Sequence, residues 1–203
     1  MKIFQADAED APREVARILM AGGVAAVPTE TVYGLVCLWR DSTARSRIYA
    51  LKRRPAEKRL QMLASSVESA VSAGLDDSPR LRRLSGAFWP GPLTVVAPSA
   101  ACGSIGLRIP ASPFVLSLLR ELGEPLAATS ANLAGSPPGL TAADAVRELD
   151  GEPDALVDGG FATVTGGLSS TVVSIMDGEP GILREGQISL EAIRRALASE
   201  ENG

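Results

Sequence analysis

With 203 residues, 45% of them hydrophobic and 22% charged, the chain is long enough to bury a core and too ordinary in composition for a disordered or fibrous protein. It contains no histidine, which excludes Ser-His-Asp and Cys-His hydrolases and every histidine-ligated metal site; its two cysteines, Cys37 and Cys102, form no paired motif. The net charge of −4 hides an asymmetry: residues 1–120 carry 16 basic and 10 acidic side chains, residues 121–203 carry 4 and 14.

Taken in order, Met1–Phe4 predicts a short strand. Pro12–Met20 reads as a helix, with proline in its first turn and Gly22-Gly23 at its end. Val24-Ala25-Ala26-Val27-Pro28 is a compact apolar run stopped by proline, hence a buried strand. Spacing through Ile48 and Leu51 predicts a helix from Ser42 to about Arg53, with Pro55 as its stop. Leu60–Ala64 predicts a strand and Pro79–Phe88 a helix. Leu93–Ala97 and Ile105–Ile109 are strands with proline punctuation. Pro113–Leu122 is an apolar helix ended by Gly123. Leu126–Thr129 is a strand, and Thr141–Asp144 a capping box that opens a helix to about Leu149. Ala155–Val157, Ser170–Met176 and Ile182–Leu183 read as strands and Ser189–Ala198 as the closing helix. The mixture predicts an α/β (α+β) fold on a mixed sheet, as a single domain over residues 1–203 with no repeat or linker.

The N-terminus does not read as a signal peptide, and no apolar stretch approaches the roughly 18 residues of a membrane span. With two unpaired cysteines, the expected location is the reducing cytoplasm, with no membrane partner. Arg40–Leu60 holds Arg40, Arg45, Arg47, Lys52, Arg53, Arg54, Lys58 and Arg59 against only Asp41 and Glu57. Such a run is either a solvated helix face or an anion site, to which arginines bring planar, bidentate donors.

Small polar residues follow several strand ends: Pro28–Thr31, Ser104–Arg108, Thr129–Asn132 and Gly167–Thr171. In open α/β sheets, ligands sit beyond strand ends, where such loops present hydroxyls and backbone N–H groups. Taken singly, each also reads as a turn or cap. Neither GxxxxGK[ST] nor GxGxxG is present, so any nucleotide is bound in a less common way.

Seven segments, in order, resemble the signature blocks of the YrdC/TsaC-like family. Pro28-Thr29-Glu30-Thr31-Val32-Tyr33-Gly34-Leu35 is similar to its P-T-[DE]-T-V-Y-G-L block, and Lys52-Arg53-Arg54-Pro55 to K-x-R-P. Phe88–Thr94 resembles [FW]-P-G-P-x-T, Gly106–Pro110 resembles G-x-R-x-P, and Ser130-Ala131-Asn132 resembles S-x-N. Ser170-Thr171-Val172-Val173 and Leu183-Arg184-Glu185-Gly186 resemble the last two blocks. The resemblance is to the short, single-domain form of the family.

The resemblance implies a twisted mixed sheet with flanking helices and a basic concave cavity. It implies synthesis of L-threonylcarbamoyl-AMP from L-threonine, bicarbonate or CO2, and ATP, with pyrophosphate released and Mg²⁺ accompanying the ATP. This is the first step of threonylcarbamoyladenosine (t6A) modification of tRNA, so a downstream tRNA threonylcarbamoyl transferase machinery and tRNA itself are implied partners. By resemblance, Thr31, Arg108, Ala128 and Ser170 line the threonine pocket, with Arg108 on the substrate carboxylate. Arg54, Lys58, Ser104, Ser130, Pro138 and Arg184 lie along ATP. Lys52, Arg54, Ser130 and Asn132 surround the reacting phosphate, and no side chain is expected to ligate a metal.

The chain also departs from the family pattern. Lys58-Arg59-Leu60 stands where Pro-Leu usually ends the second block, with Leu63 beyond it and no pocket histidine. Pro110-Ala111-Ser112-Pro113 replaces P-x-H-P, Pro137-Pro138-Gly139 replaces a Ser-Pro, and Ser174 replaces an Asp. These changes bear on the pocket wall more than on the phosphate positions. Two alternatives stay open. One is a non-synthesising relative that binds RNA or nucleotide through the basic cavity; the other is carbamoyl transfer in metal-centre maturation. Pro55 among so many like charges also leads to the expectation that residues 53–59 close on ATP.

Overall fold

Short polar residues ahead of the apolar runs cap most of the helix starts. The computed structural model describes residues 1–160 and 169–198. In chain order it has β1 (Lys2–Gln5), α1 (Ala11–Met20), β2 (Ala25–Val27), β3 (Gly34–Leu38), α2 (Ser42–Lys52), β4 (Gln61–Leu63), α3 (Val67–Ser72), α4 (Pro79–Phe88) and β5 (Leu93–Ser99). There follow β6 (Gly103–Arg108), α5 (Pro113–Leu122), β7 (Leu126–Ser130), α6 (Ala142–Arg147), β8 (Ala155–Asp158), β9 (Thr171–Ser174), β10 (Gly181–Arg184) and α7 (Leu190–Ala198). Side chains of Asp41, Ser66, Ser78, Ser112 and Thr141 each accept a backbone N–H three residues on, capping α2, α3, α4, α5 and α6. Gly123 closes α5 in the left-handed region at φ 67°.

All ten described strands join one mixed sheet in the order β1-β8-β2-β3-β7-β4-β6-β5-β9-β10. Its two halves are covered differently. Along β8, β2, β3 and β7, one face packs on α1 and α5 through Val15, Leu19, Val115 and Leu118. The other face packs on α2 and α6 through Ile48, Leu51 and Ala145. A strand covered on both faces reads as an unbroken apolar run. This explains why β3, Gly34-Leu35-Val36-Cys37-Leu38, has no alternation to announce it, although all five residues are buried.

In the second half, Met62, Leu93, Val95, Ala97, Ile105, Leu107 and Val173 point to a core closed by α3, α4 and α7. The residues alternating with them are Gln61, Thr94, Val96, Ser104, Gly106, Arg108 and Val172. These line a cavity on the opposite face. Period-two alternation therefore divides β4, β5, β6 and β9 into a core side and a ligand side. No helix among the described residues is long and apolar enough to cross a membrane.

Candidate active site

The cavity on that open face has a volume of about 740 Å³. Its floor is the even-numbered side chains of β5, β6 and β9; its wall is the polar face of α2, at Ser42, Arg45, Ser46 and Tyr49. Five arginines reach it, Arg45, Arg54, Arg59, Arg108 and Arg184, against one carboxylate, Glu57.

The ends of the elements deliver these cations. α2 ends on Arg53 in the left-handed region (φ 47°, ψ 42°), which turns the chain back so that Arg54 faces inward. Arg54 donates from Nε to the Lys58 carbonyl at 2.7 Å and from Nη2 to the Arg59 carbonyl at 2.9 Å. Arg184 is aimed by a β-bulge: Ile182 pairs with Val173 but Arg184 with Val172, leaving Leu183 as the extra residue. Ile182 packs on the core side, so the extra residue places Arg184 on the ligand side. Arg184 donates to the Ser170 carbonyl at 2.8 Å and to Ser170 Oγ at 3.0 Å. Neutral carbonyls satisfy these guanidiniums without cancelling their charge. Burial lowers the Arg54 and Arg184 pKa values, and Arg184 is lowered further by Arg108 and Arg54. Mutual repulsion of this kind favours an incoming anion.

Arg108 is almost fully buried. Its Nη1 and Nη2 both donate to Thr31 Oγ1 at 3.0 Å, Nη2 donates to Glu30 Oε1 at 2.5 Å, and Nε reaches the Gly91 carbonyl at 3.3 Å. Glu30 Oε2 is buried with no hydrogen-bond partner among the described residues. A directed chain crosses the floor beside it. Arg184 donates to Ser170 Oγ, which bonds Thr94 Oγ1 at 2.9 Å, and Thr94 donates to Gln61 Oε1 at 2.9 Å.

Of the residues singled out from sequence, Thr31, Arg54, Ser104, Arg108, Ala128, Ser130, Ser170 and Arg184 line this one cavity. Lys52, Lys58, Asn132 and Pro138 do not. Lys52 is 1% exposed beneath the wall, where Nζ donates to the carbonyls of Ser130 and Asn132 and to Asn132 Oδ1. Lys58 is exposed and contributes its carbonyl, which accepts from Arg54 Nε and from the Tyr49 hydroxyl. Pro138 is half-buried outside the cavity. Gly167 and Leu168, part of a segment read as ligand-binding, lie outside the described residues. Sequence reasoning gave Arg45 and Arg59 only a place in the basic run, and Gln61 and Thr94 no site role. Alternation along β4 and β5 could have shown the last two.

A family model described as "Telomere recombination", that of the Sua5, YciO and YrdC proteins, matches residues 17–186. The chain belongs to the Sua5/YciO/YrdC family. It is 34% identical over 194 residues to the threonylcarbamoyl-AMP synthase of Bacillus subtilis (strain 168), covering 91% of this chain and 56% of that protein. The crystal structure of P. abyssi Sua5 complexed with L-threonine superposes with a TM-score of 0.87 at 31% identity, over 97% of this chain and 60% of that one. E. coli YciO, at 24% identity and a TM-score of 0.81, shares the fold over 95% of this chain and 97% of its own. The chain thus spans little more than half of the curated synthase it resembles. All seven YrdC-type blocks fall on described residues, and the matched span carries every arginine of the cavity.

Proposed function

We propose that this chain, acting as one domain in the cytoplasm, makes L-threonylcarbamoyl-AMP from L-threonine, CO2 or bicarbonate, and ATP. The observation that carries the reading is that one cavity gathers Thr31, Arg54, Arg108, Ala128, Ser170 and Arg184, and we read it as two adjoining subsites that meet where Arg184 bonds Ser170. Arg108 with Thr31, Ala128 and Ser170 forms a subsite suited to an amino acid. Arg54 and Arg184, neither held by a carboxylate among the described residues, form a subsite suited to polyphosphate. The relative named threonylcarbamoyl-AMP synthase and the Sua5 structure with L-threonine support it.

The chemistry needs no protein nucleophile, which fits a chain without histidine. Threonine's neutral amine adds to CO2 and loses a proton, giving a carbamate. A carbamate oxygen attacks the α-phosphorus, the bond to the β-phosphate oxygen breaks, and pyrophosphate leaves. The protein's part is to hold both substrates in line and to stabilise charge on the phosphates with fixed donors. Arg108 would exchange Glu30 or Thr31 for the substrate carboxylate, a bidentate match. Mg²⁺ would come with the nucleotide as part of the substrate. The product, a reactive mixed anhydride, would pass to the tRNA threonylcarbamoyl transferase machinery.

The test is pyrophosphate release from MgATP and bicarbonate as a function of threonine, with serine and no amino acid as controls. Threonine-dependent release, reduced about a hundredfold or more in Arg54→Ala, is expected. A second reading, nucleotide or RNA binding without synthesis, draws on the engagement of Arg108 by Glu30, Thr31 and Gly91. Release that does not respond to threonine would favour it.

A further inference from the structure

Four of the five arginines that line the cavity, all but Arg45, differ in which edge of the guanidinium is free. A guanidinium meets phosphate best side-on, through Nε and Nη2 together, or end-on, through both Nη atoms. In Arg54 the side edge is spent on the carbonyls of Lys58 and Arg59. In Arg184 it is spent on the Ser170 carbonyl. In Arg108 all three nitrogens are engaged. Arg59 is arranged the other way round. Its Nη1 donates to the Cys102 carbonyl at 2.8 Å and the Ser104 carbonyl at 3.1 Å, with Ser104 Oγ at 3.5 Å. Its Nε and Nη2 make no hydrogen bond among the described residues, although the side chain lines the cavity.

We infer that Arg59 binds the polyphosphate of the nucleotide, presenting Nε and Nη2 to a phosphate while Nη1 holds the turn between β5 and β6. Anchoring one nitrogen removes much of the rotamer freedom a long side chain would otherwise lose on binding. Arg59 is also coupled to Arg54, because its own carbonyl fixes Arg54 Nη2. A phosphate on Arg59 therefore draws both guanidiniums and the 54–59 segment against β6 at once. Glu57, the one carboxylate lining the cavity, forms no ion pair with Arg59. Arg59 stands where the resembling block usually has proline, so the block itself assigns it no role. The inference deepens the synthase reading by naming what recognises the phosphate tail, and in that respect rests on it.

The experiment is calorimetric binding of ATP, AMP and inorganic tripolyphosphate to the full chain as wild type, Arg59→Ala and Arg59→Lys, alongside pyrophosphate release. Arg59→Ala is expected to weaken ATP and tripolyphosphate about ten- to a hundredfold and to leave AMP unchanged. Arg59→Lys, a point charge without the fork, should fall between; it also covers the case in which the alanine variant does not fold. Equal loss for all three ligands would reduce Arg59 to a strap on the β5–β6 turn and overturn the inference. Unchanged binding in a variant that still makes product would overturn it and leave the synthase reading intact. Arg59-dependent tripolyphosphate binding by a wild type that releases no pyrophosphate would do the reverse. Wild type that binds none of the three would remove both.

Discussion

Lys52 shows how a cation can serve the cavity without entering it. Three oxygen acceptors from Ser130 and Asn132 surround its Nζ, tying the last turn of α2 to the loop beyond β7. The resemblance places Lys52 and Asn132 beside the reacting phosphate; their contacts with each other support a positioning part, fixing Ser130 relative to Arg54. Burial, and secondarily Arg54, lowers the Lys52 pKa from the usual 10.5 to about 8. Between these values the unfolded chain holds a proton that the folded chain has released. The penalty on the buried charge is therefore full below pH 8 and is relieved as pH rises towards 10.5. Replacing Lys52 by Met removes the titration and leaves the carbonyls unsatisfied, at a cost of about 1–3 kcal/mol for each stranded group. Melting both proteins at pH 7.5 and 9.5 should show a wider gap at the higher pH. A constant gap would mean that Lys52 does not titrate in this range. None of this was legible in the Lys-x-Arg spacing, because the acceptors come from 78 and 80 residues away.

Among the elements, what the chain spells locally is where sequence and structure agree. Pro79–Phe88 and Pro113–Leu122 have the boundaries expected from proline at the start and, in the second, glycine at the end. Thr141 caps α6 as its Thr-x-x-Asp spacing implies. Two elements escaped the reading. β3 has no period to detect, and α3 is only six residues long, too short for a helical stripe. The bulge at Leu183 is equally silent in sequence, since it is defined by its partner strand. Gly186 has a physical reason that only the fold reveals. A Cβ there would lie 2.4 Å from the Thr171 nitrogen and 2.5 Å from the Ser169 carbonyl oxygen. Because both neighbours are backbone, Gly186→Ala must push the strand entrance at Ser169–Thr171, and with it the Ser170 hydroxyl shared by Arg184 and Thr94. The expected outcome is a loss of about 1–3 kcal/mol in urea unfolding, from overpacking, and a raised KM for threonine. Unchanged KM at reduced stability would separate the glycine from the site.

At the scale of the whole molecule, the uneven charge of the two halves becomes an arrangement in space. Three outward members of the basic run meet acids from the later half of the chain: Arg40 pairs with Glu124 at 3.0 Å, Arg47 with Asp154 at 2.9 Å and Arg53 with Asp150 at 2.8 Å. Among the described residues the inward members meet none. Arg45 lies over the Trp39 ring at 5.6 Å, while Arg54 and Arg59 bond to carbonyls. Both readings of the run from Arg40 to Arg59 therefore hold, each for a different set of its residues, and only the pairing with residues 124–154 sorts them. Exposed pairs of this kind contribute roughly 0–1 kcal/mol, so their main effect is to neutralise much of the positive charge outside the cavity and leave that inside it uncompensated. Such a field acts on a polyanion over a distance set by salt. Raising NaCl from 50 to 500 mM should weaken ATP binding by about an order of magnitude, because the Debye length falls below the width of the cluster. Removing an outward cation, in Arg47→Ala or Arg53→Ala, should leave the slope of log Kd against log salt unchanged, whereas Arg54→Ala should flatten it. If the outward variants flatten the slope as much as Arg54→Ala, the nucleotide responds to the charge of the surface as a whole rather than to the arginines turned inward.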